Sequence, residues 1–308
     1  MHSAKSITCA LALLAILALP IVLVPHAASA PPVIGTYTLS AVPAVAQEGS
    51  TITLALTVSG FTGSTSLKFQ FRFNVRDPSG LTTQSTVQNH TTAPNENEFT
   101  ILVNYPSGQF PGTNSLTGQY DASVDELMPI AQTQVATTTF MLSITDSLSY
   151  ERTVTVNMRV TGYNASEAVT IIIRTVATST LVFSQTLPAS SNGIVLASWQ
   201  VPKNATIDSY QLTITGTSTN KNPVDAQRFS VRAATMTIPS ITSWKLVYQR
   251  TETLRFTFQP KYPDGTFATT GIALMTLTRP DRANMTIPAT YDTSTQLFTM
   301  TYQTSTNN

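Results

Sequence analysis

The side chains in this chain that could do chemistry are few and badly spaced for it. Beyond residue 30 there is one histidine, His90 in "QNHTT", and no cysteine; the single cysteine, Cys9, lies in an apolar run near the start. A serine nucleophile needs a histidine base and a carboxylate that orients it. A zinc centre needs several imidazole or thiolate ligands at regular spacing. One histidine in a polar stretch meets neither demand, so His90 reads as a solvated loop residue.

Acids are the other candidates. Asp121, Asp125 and Glu126 crowd into "YDASVDEL". Two opposed carboxylates could hydrolyse a glycoside, and three with loop carbonyls could hold calcium. No Asp-x-Asn/Asp-x-Asn/Asp-Gly loop accompanies them, so they read as a solvated loop cluster. Asp264-Gly265 in "KYPDGTF" reads as a turn between strands. There is no Gly-rich phosphate loop and no Gly-x-Ser-x-Gly elbow. No catalytic residue, metal ligand or cofactor is therefore assigned. Aromatic stacking on sugars would need exposed rings, whereas Trp199 alternates with Ala197 and Val195 and Trp244 with Leu246 and Tyr248, which places both inward. Four Asn-x-Ser/Thr acceptors remain, at Asn89, Asn164, Asn204 and Asn284, and the first three fall in or beside expected loops. They are glycosylation sites if the host glycosylates exported proteins.

The elements around these residues are strands. In "TITLALTV" Ile52, Leu54, Leu56 and Val58 share one face. In "LKFQFRFNV" Leu67, Phe69, Phe71, Phe73 and Val75 share one, while Lys68, Gln70, Arg72 and Asn74 take the other. Strict alternation marks strands with one buried and one wet face. Antiparallel two-layered sheets provide such faces, so the fold class is all-β.

The first thirty residues read as an export signal that forms an apolar helix. Lys5 precedes the apolar run Ile7 to Val24, and Ala28-Ser29-Ala30 supplies the small residues of a cleavage site. An uncleaved anchor is the alternative, because 18 apolar residues reach the lower edge of a membrane span and Pro31 follows the scissile bond. Without the leader, 16 basic residues face 16 acidic ones, which gives no net positive charge to capture nucleic acid. Only 11% of residues are charged, and Ser and Thr take the outward positions. The absence of cysteine after residue 30 leaves each domain reliant on its apolar core.

A repeat orders the strands. "TITLALTV" at Thr51 is followed by "TVTVNMRV" at Thr153 and "TLRFTFQ" at Thr253, steps of 102 and 100 residues. A step near one hundred is the length of one immunoglobulin-type sandwich. Ile52, Leu54, Leu56, Val154, Val156, Met158, Leu254, Phe256 and Phe258 are expected in the cores. The first copy differs by insertions around "VQNHTTAPNENE" and "DASVDELMPIAQTQ", which read as loops. The third copy stops where the block from Pro202 to Arg232 of the second should recur, which reads as an N-terminal fragment of a longer multidomain protein or a domain completed by something else. Its sheet should then have an open edge at "GIALMTLT" or "QLFTMTYQ", with Phe298, Met300 and Tyr302 less buried than Phe99, Ile101 and Val103.

The second copy carries "TDSLSYERTVTVNMRVTGYNASEAVTIIIRT", "SSNGIVLASWQVPKNATIDSYQLTITG" and "QRFSVR". It resembles the Ig-like and macroglobulin-type sandwich domains of bacterial and archaeal surface proteins. It departs from them at Thr206-Ile207-Asp208-Ser209, where such domains commonly place a Gly before the Tyr. The resemblance implies tandem Ig-like sandwiches over 35–145 and 146–236, a partial one over 238–308, and a leader over 1–30. The thioester of full macroglobulins needs a cysteine, so protease trapping is not implied.

The expectation is a non-enzymatic extracellular or cell-surface structural or adhesion protein that spaces or presents a binding surface. Its partners would be cell-surface proteins or glycans and further domains of the same polypeptide; nucleic acid is not among them, and a membrane only through an uncleaved N-terminal segment. The alternatives are the non-catalytic N-terminal region of a larger secreted protease or glycosidase, and a carbohydrate-binding module.

Overall fold

The computed structural model describes residues 35–61, 66–279 and 282–304, and among these every regular element is a strand. The expected leader and Cys9 lie outside the described residues. The first module contains β1 (Thr36–Val42), β2 (Val45–Gln47), β3 (Ile52–Ser59), β4 (Lys68–Arg76), β5 (Thr82–Gln84), β6 (Gln88–Thr91), β7 (Glu98–Tyr105), β8 (Gly118–Met128) and β9 (Gln132–Ser143). They form one sheet in the order β1-β3-β7 and another in the order β2-β9-β8-β4-β5, with β6 also on β4. The alternation in β4 turns Phe69, Phe71 and Phe73 inward against Leu54, Leu56 and Val58 of the facing sheet, in one shared core. Each such side chain contributes about 1.5–3 kcal/mol by leaving water.

"DASVDELMPIAQTQ", expected as a loop, is the hairpin of the two long strands β8 and β9. Tyr120, Ala122, Val124 and Glu126 all point inward. The acid at the fourth inward position hid the alternation; the hydroxyl of Tyr37 (2.9 Å) and Nε2 of Gln132 (3.3 Å) donate to its carboxylate. The other expected loop, "VQNHTTAPNENE", contributes β6.

The second module contains β10 (Ser149–Glu151), β11 (Thr155–Val160), β12 (Ala168–Thr175), β13 (Leu181–Pro188), β14 (Val195–Gln200), β15 (Ser209–Gly216) and β16 (Asp225–Arg232). Its sheets run β10-β16-β15-β12-β13 and β11-β14. Val156, Met158 and Trp199 from one sheet meet Ile171, Tyr210, Leu212 and Phe229 from the other; Val154 packs at the margin, half-buried. The turn before β14 needs glycine. Gly193 has φ +70°, and a Cβ there would lie 2.1 Å from the carbonyl oxygen of Tyr163. Gly193→Ala is therefore expected to destabilise this module by about 2 kcal/mol. Denaturant unfolding followed by the fluorescence of buried Trp199 measures it, and a loss below about 0.5 kcal/mol would show that the turn relaxes freely.

The third module contains β17 (Ile241–Ser243), β18 (Thr253–Phe258), β19 (Ile272–Thr278), β20 (Asn284–Asp292) and β21 (Leu297–Gln303), in one sheet of order β17-β18-β21-β20-β19. Phe258 is buried, while Leu254 and Phe256 are only half-buried. The expected exposure of β21 holds for Tyr302, which is half-buried where Phe99 and Val103 are buried, but not for Phe298 and Met300, which are more deeply buried than Phe99. They sit on an internal strand between β18 and β20, and Ala268 of the β18–β19 connection shares their cluster. The open edge is β19.

Structure also sharpens the repeat. Each module has the same turn, with N–H groups of Ser50, Val154 and Glu252 donating to the carbonyls of Gln47, Glu151 and Gln249. A residue with positive φ sits at its third position, Gly49, Thr153 and Thr251. By this landmark the steps are 104 and 98 residues.

Candidate functional site

A dense polar cluster lies where the first two modules meet. Glu48 follows β2 in the repeated turn and is fully buried. Its Oε1 accepts from the Thr117 hydroxyl (2.5 Å), and its Oε2 accepts from the backbone N–H of Thr161 (3.0 Å) in the second module. Lys221, in the link between β15 and β16, reaches back to it at 3.3 Å. The same ammonium donates to Asp225 Oδ2 (2.6 Å) and to the carbonyl of Ser115 (2.6 Å). It also lies 4.7 Å from the ring centre of Tyr163, whose hydroxyl donates to Asp225 Oδ2 (2.7 Å). The side chain of Lys221 is 7% exposed. Gln47 adds a further tie, donating from Nε2 to the carbonyls of Ile144 (3.1 Å) and Asn157 (3.2 Å). Gly49 lets the modules close: a Cβ there would meet Thr161 Cγ2 at 2.8 Å and Arg159 Nη2 at 2.9 Å.

Two buried carboxylates share one ammonium, so one negative charge is in excess if both ionise. Burial pushes the Glu48 carboxyl up to about 8, and the neighbouring Asp225 charge adds to this; Lys221, Thr117 and the Thr161 N–H pull it partly back. Oδ1 of Asp225 has no hydrogen-bond partner among the described residues. Glu167, near Tyr163, is the opposite case. Its desolvation is outweighed by hydrogen bonds from the Thr219 hydroxyl and the N–H groups of Ser218, Thr219 and Asn164, which bring it down to about 2. The cluster holds no nucleophile beside a free base, and its groups are closed to solvent. Its chemistry is that of a latch.

The acids weighed for chemistry in the sequence are divided. Asp121 and Asp125 face outward, into a groove of about 730 Å³ lined also by Asn74, Arg76, Gln134 and Thr139. Asn74 Nδ2 (2.9 Å) and the Gln134 N–H (2.9 Å) donate to Asp125, and Gln119 Nε2 donates to Asp121 (3.1 Å). Glu126 points to the opposite, buried face of β8. No group of three or more His, Cys, Asp or Glu side chains that could hold a metal ion occurs among the described residues.

His90 is not a solvated loop residue. It lies on β6, its ring stacks on Phe99 with centroids 3.9 Å apart, and its Nε2 is 3.3 Å from Glu96 Oε1. Trp199 is buried with Tyr210 and Phe229. Trp244 is 67% exposed, contrary to its expected inward position, and stacks under Arg255 at 4.4 Å. It shares no core with Leu246 or Tyr248, since the segment after β17 leaves the sheet. All four acceptor asparagines are exposed. Asn164 and Asn204 are in connections, whereas Asn89 lies on β6 and Asn284 opens β20. Asp264 is in a turn, with the Gly265 N–H donating to Tyr262 and the Asp264 carboxylate accepting from Thr266.

Neither Glu48 nor Lys221 stands out in the sequence. One signal could have found Glu48: the second position of the repeated turn is Arg152 and Arg250 in the other modules, and an acid only in the first.

No family's sequence profile matches the chain, and no curated protein matches it. Among solved structures it is similar to a tetra-tandem repeat in the extending region of a large adhesion protein, at 14% identity and a TM-score of 0.29, covering 89% of this chain and 66% of that one. It is also similar to trypsin-activated alpha-2-macroglobulin from Escherichia coli, at 10% identity and a TM-score of 0.23, covering 90% of this chain and 24% of that one. The native conformation of the E. coli protein gives the same identity and score, with 21% of that chain covered. The chain thus spans less than two thirds of each of these proteins, and scores this low carry nothing about function.

Proposed function

We propose that this chain is a non-enzymatic, exported structural or adhesive surface protein whose tandem β modules hold a binding surface at a set spacing. The observation that supports this is the junction of the first two modules. A buried Lys–carboxylate latch, a close backbone approach at Gly49 and the ties from Gln47 resist bending there. Domains within one chain move relative to one another unless their interface is extensive, so a junction of this kind suits a spacer. Two results are expected. Antibodies against the chain label intact cells of its host. The purified chain shows no turnover of peptide, ester or glycoside substrates. Intracellular confinement, or hydrolysis that Asp125→Asn abolishes, would overturn the proposal.

A further inference from the structure

The groove beside Asp121 and Asp125 lies on the outer face of the first module, where β4, β8 and β9 run side by side. At about 730 Å³ it falls within the range of small-molecule sites, about 300–1,000 Å³. Two register shifts interrupt the pairing of these strands, between Gln70 and Phe71 on β4 and between Val124 and Glu126 on β8. Bulges of this kind bend and twist a sheet, which gives the face its hollow.

What the sheet presents there is a grid of polar groups. Arg76, Asp121 and Thr139 are neighbours across three strands, and Asn74, Ser123 and Thr137 form the next row, each about 5 Å from the one beside it. Among the described residues no aromatic ring and no apolar side chain larger than that of Ala122 lines the groove. Its centre is fixed in advance. The second register shift leaves Asp125 without a partner on β9, and its Oδ1 accepts instead from the N–H of Gln134 (2.9 Å), a residue held at φ +52°. Non-glycine residues held in this region gather at functional sites. Oδ2 accepts from Asn74 Nδ2 (2.9 Å), and Asn74, only 8% exposed, accepts in turn from Gln84 Nε2 (2.9 Å). A carboxylate has about four acceptor positions, so the half-buried Asp125 keeps acceptor capacity toward the groove. Arg76 and Asp121 are exposed, and no ion pair joins them among the described residues.

We propose that this groove binds an uncharged oligosaccharide through its hydroxyl groups. The site rests on the adhesive reading above and gives that protein its ligand. A guanidinium only donates and a carboxylate only accepts, whereas a hydroxyl does both. Adjacent sugar hydroxyls can therefore donate to Asp125 or Asp121 while accepting from Arg76 or a Thr hydroxyl, and a ligand of one kind alone matches half the grid. Two carboxylates against one guanidinium disfavour an anionic sugar. An apolar ligand finds no surface to bury. With no ring to stack on, affinity comes from hydrogen bonds made in competition with water, which sets it in the range of weak sugar complexes.

Titration of the ¹⁵N-labelled 308-residue chain with maltotriose, mannotriose, cellotriose and triacetylchitotriose, followed by NMR, tests the site. At least one should bind with Kd below about 1 mM, with shifts centred on the amides of 74–76, 121–125 and 133–139. Asp125→Ala should weaken binding at least about tenfold, the effect of losing hydrogen bonds to a charged group. Asp121→Ala with Arg76→Ala, at exposed positions, should do the same without disturbing the Gln134 turn. Thr100→Ala, on the outer face of the facing sheet, should leave binding unchanged. No shifts with any neutral trisaccharide at about 10 mM would overturn the proposal. So would shifts centred elsewhere, binding indifferent to both sets of substitutions, or tighter binding of trigalacturonate. Because binding is read on the purified chain, the two readings fail separately: a chain that labels at the cell surface but binds no sugar loses only this site, and one that binds sugar in the groove but stays inside the cell loses only the surface role.

Discussion

Replacing Lys221 by methionine is expected to destabilise the chain by about 3–5 kcal/mol, the cost of leaving a buried charge without its partner. The ammonium is held between Asp225 at 2.6 Å and Glu48 at 3.3 Å, and it also satisfies the carbonyl of Ser115. Methionine keeps the apolar stem over Tyr163 and removes only the charge and its three hydrogen bonds. The Asp225 carboxylate then remains beside the Glu48 carboxyl in a site closed to water, without its cation. Removing that charge as well, with Asp225→Asn, and replacing the Glu48 carboxyl by an amide, with Glu48→Gln, should restore most of the loss, because a buried ionic cluster as a whole contributes little net stability. Denaturant unfolding followed by Trp199 fluorescence gives the numbers. A cost below about 1 kcal/mol, typical of a solvated surface pair, would mean that the junction opens to water and that the latch does not hold the modules.

What the sequence allowed one to read here depended on how local each signal was. The face carried by Phe69, Phe71 and Phe73 was legible because alternation lies in the strand itself. β8 was taken for a loop because Glu126 occupies an inward position, and an acid is inward only if something distant satisfies it; Tyr37 is 89 residues away. Glu48 hid for the same reason, with its ammonium partner 173 residues along the chain. Trp244 was misplaced because its alternation with Leu246 and Tyr248 presumes a partner strand, and no strand among the described residues pairs with that segment. His90 was taken for a loop residue since its stacking on Phe99 arises from the pairing of β6 with β4, which its polar neighbours do not announce. Period was visible, whereas the placing of charges and rings depended on tertiary pairing.

Stability is expected to fall as pH rises from about 4.5 to about 8, and Glu48 is the cause. Its carboxyl has an ordinary value of 4.5 in the unfolded chain and is raised to about 8 in the fold, by burial first and by the Asp225 charge second. Between those values the folded chain holds a proton that the unfolded chain has lost, so each rise in pH favours unfolding, by at most about 1.4 kcal/mol per pH unit for one proton. The stability that the neutral acid gives is fully present below 4.5 and is lost as pH climbs through about 8. The groups facing Glu48 are Lys221, Asp225, Tyr163, Tyr120, the Thr117 hydroxyl and the Thr161 N–H, with Arg159 packed against Gly49. Glu167 acts with the opposite sign, since its folded value is lowered to about 2; its contribution is lost only as pH falls below 4.5, so the two windows do not overlap. Glu48→Gln isolates the effect. A glutamine amide has the shape and charge of the neutral acid: its oxygen can accept from Thr161 and Lys221 while its NH₂ donates to Thr117. Unfolding free energies at pH 5, 7 and 9 should therefore decline more steeply in the parent than in the variant, with the variant the more stable at pH 9. Parallel curves for the two chains would show that Glu48 is ionised in the fold, and that Lys221 holds both carboxylates as charges at neutral pH.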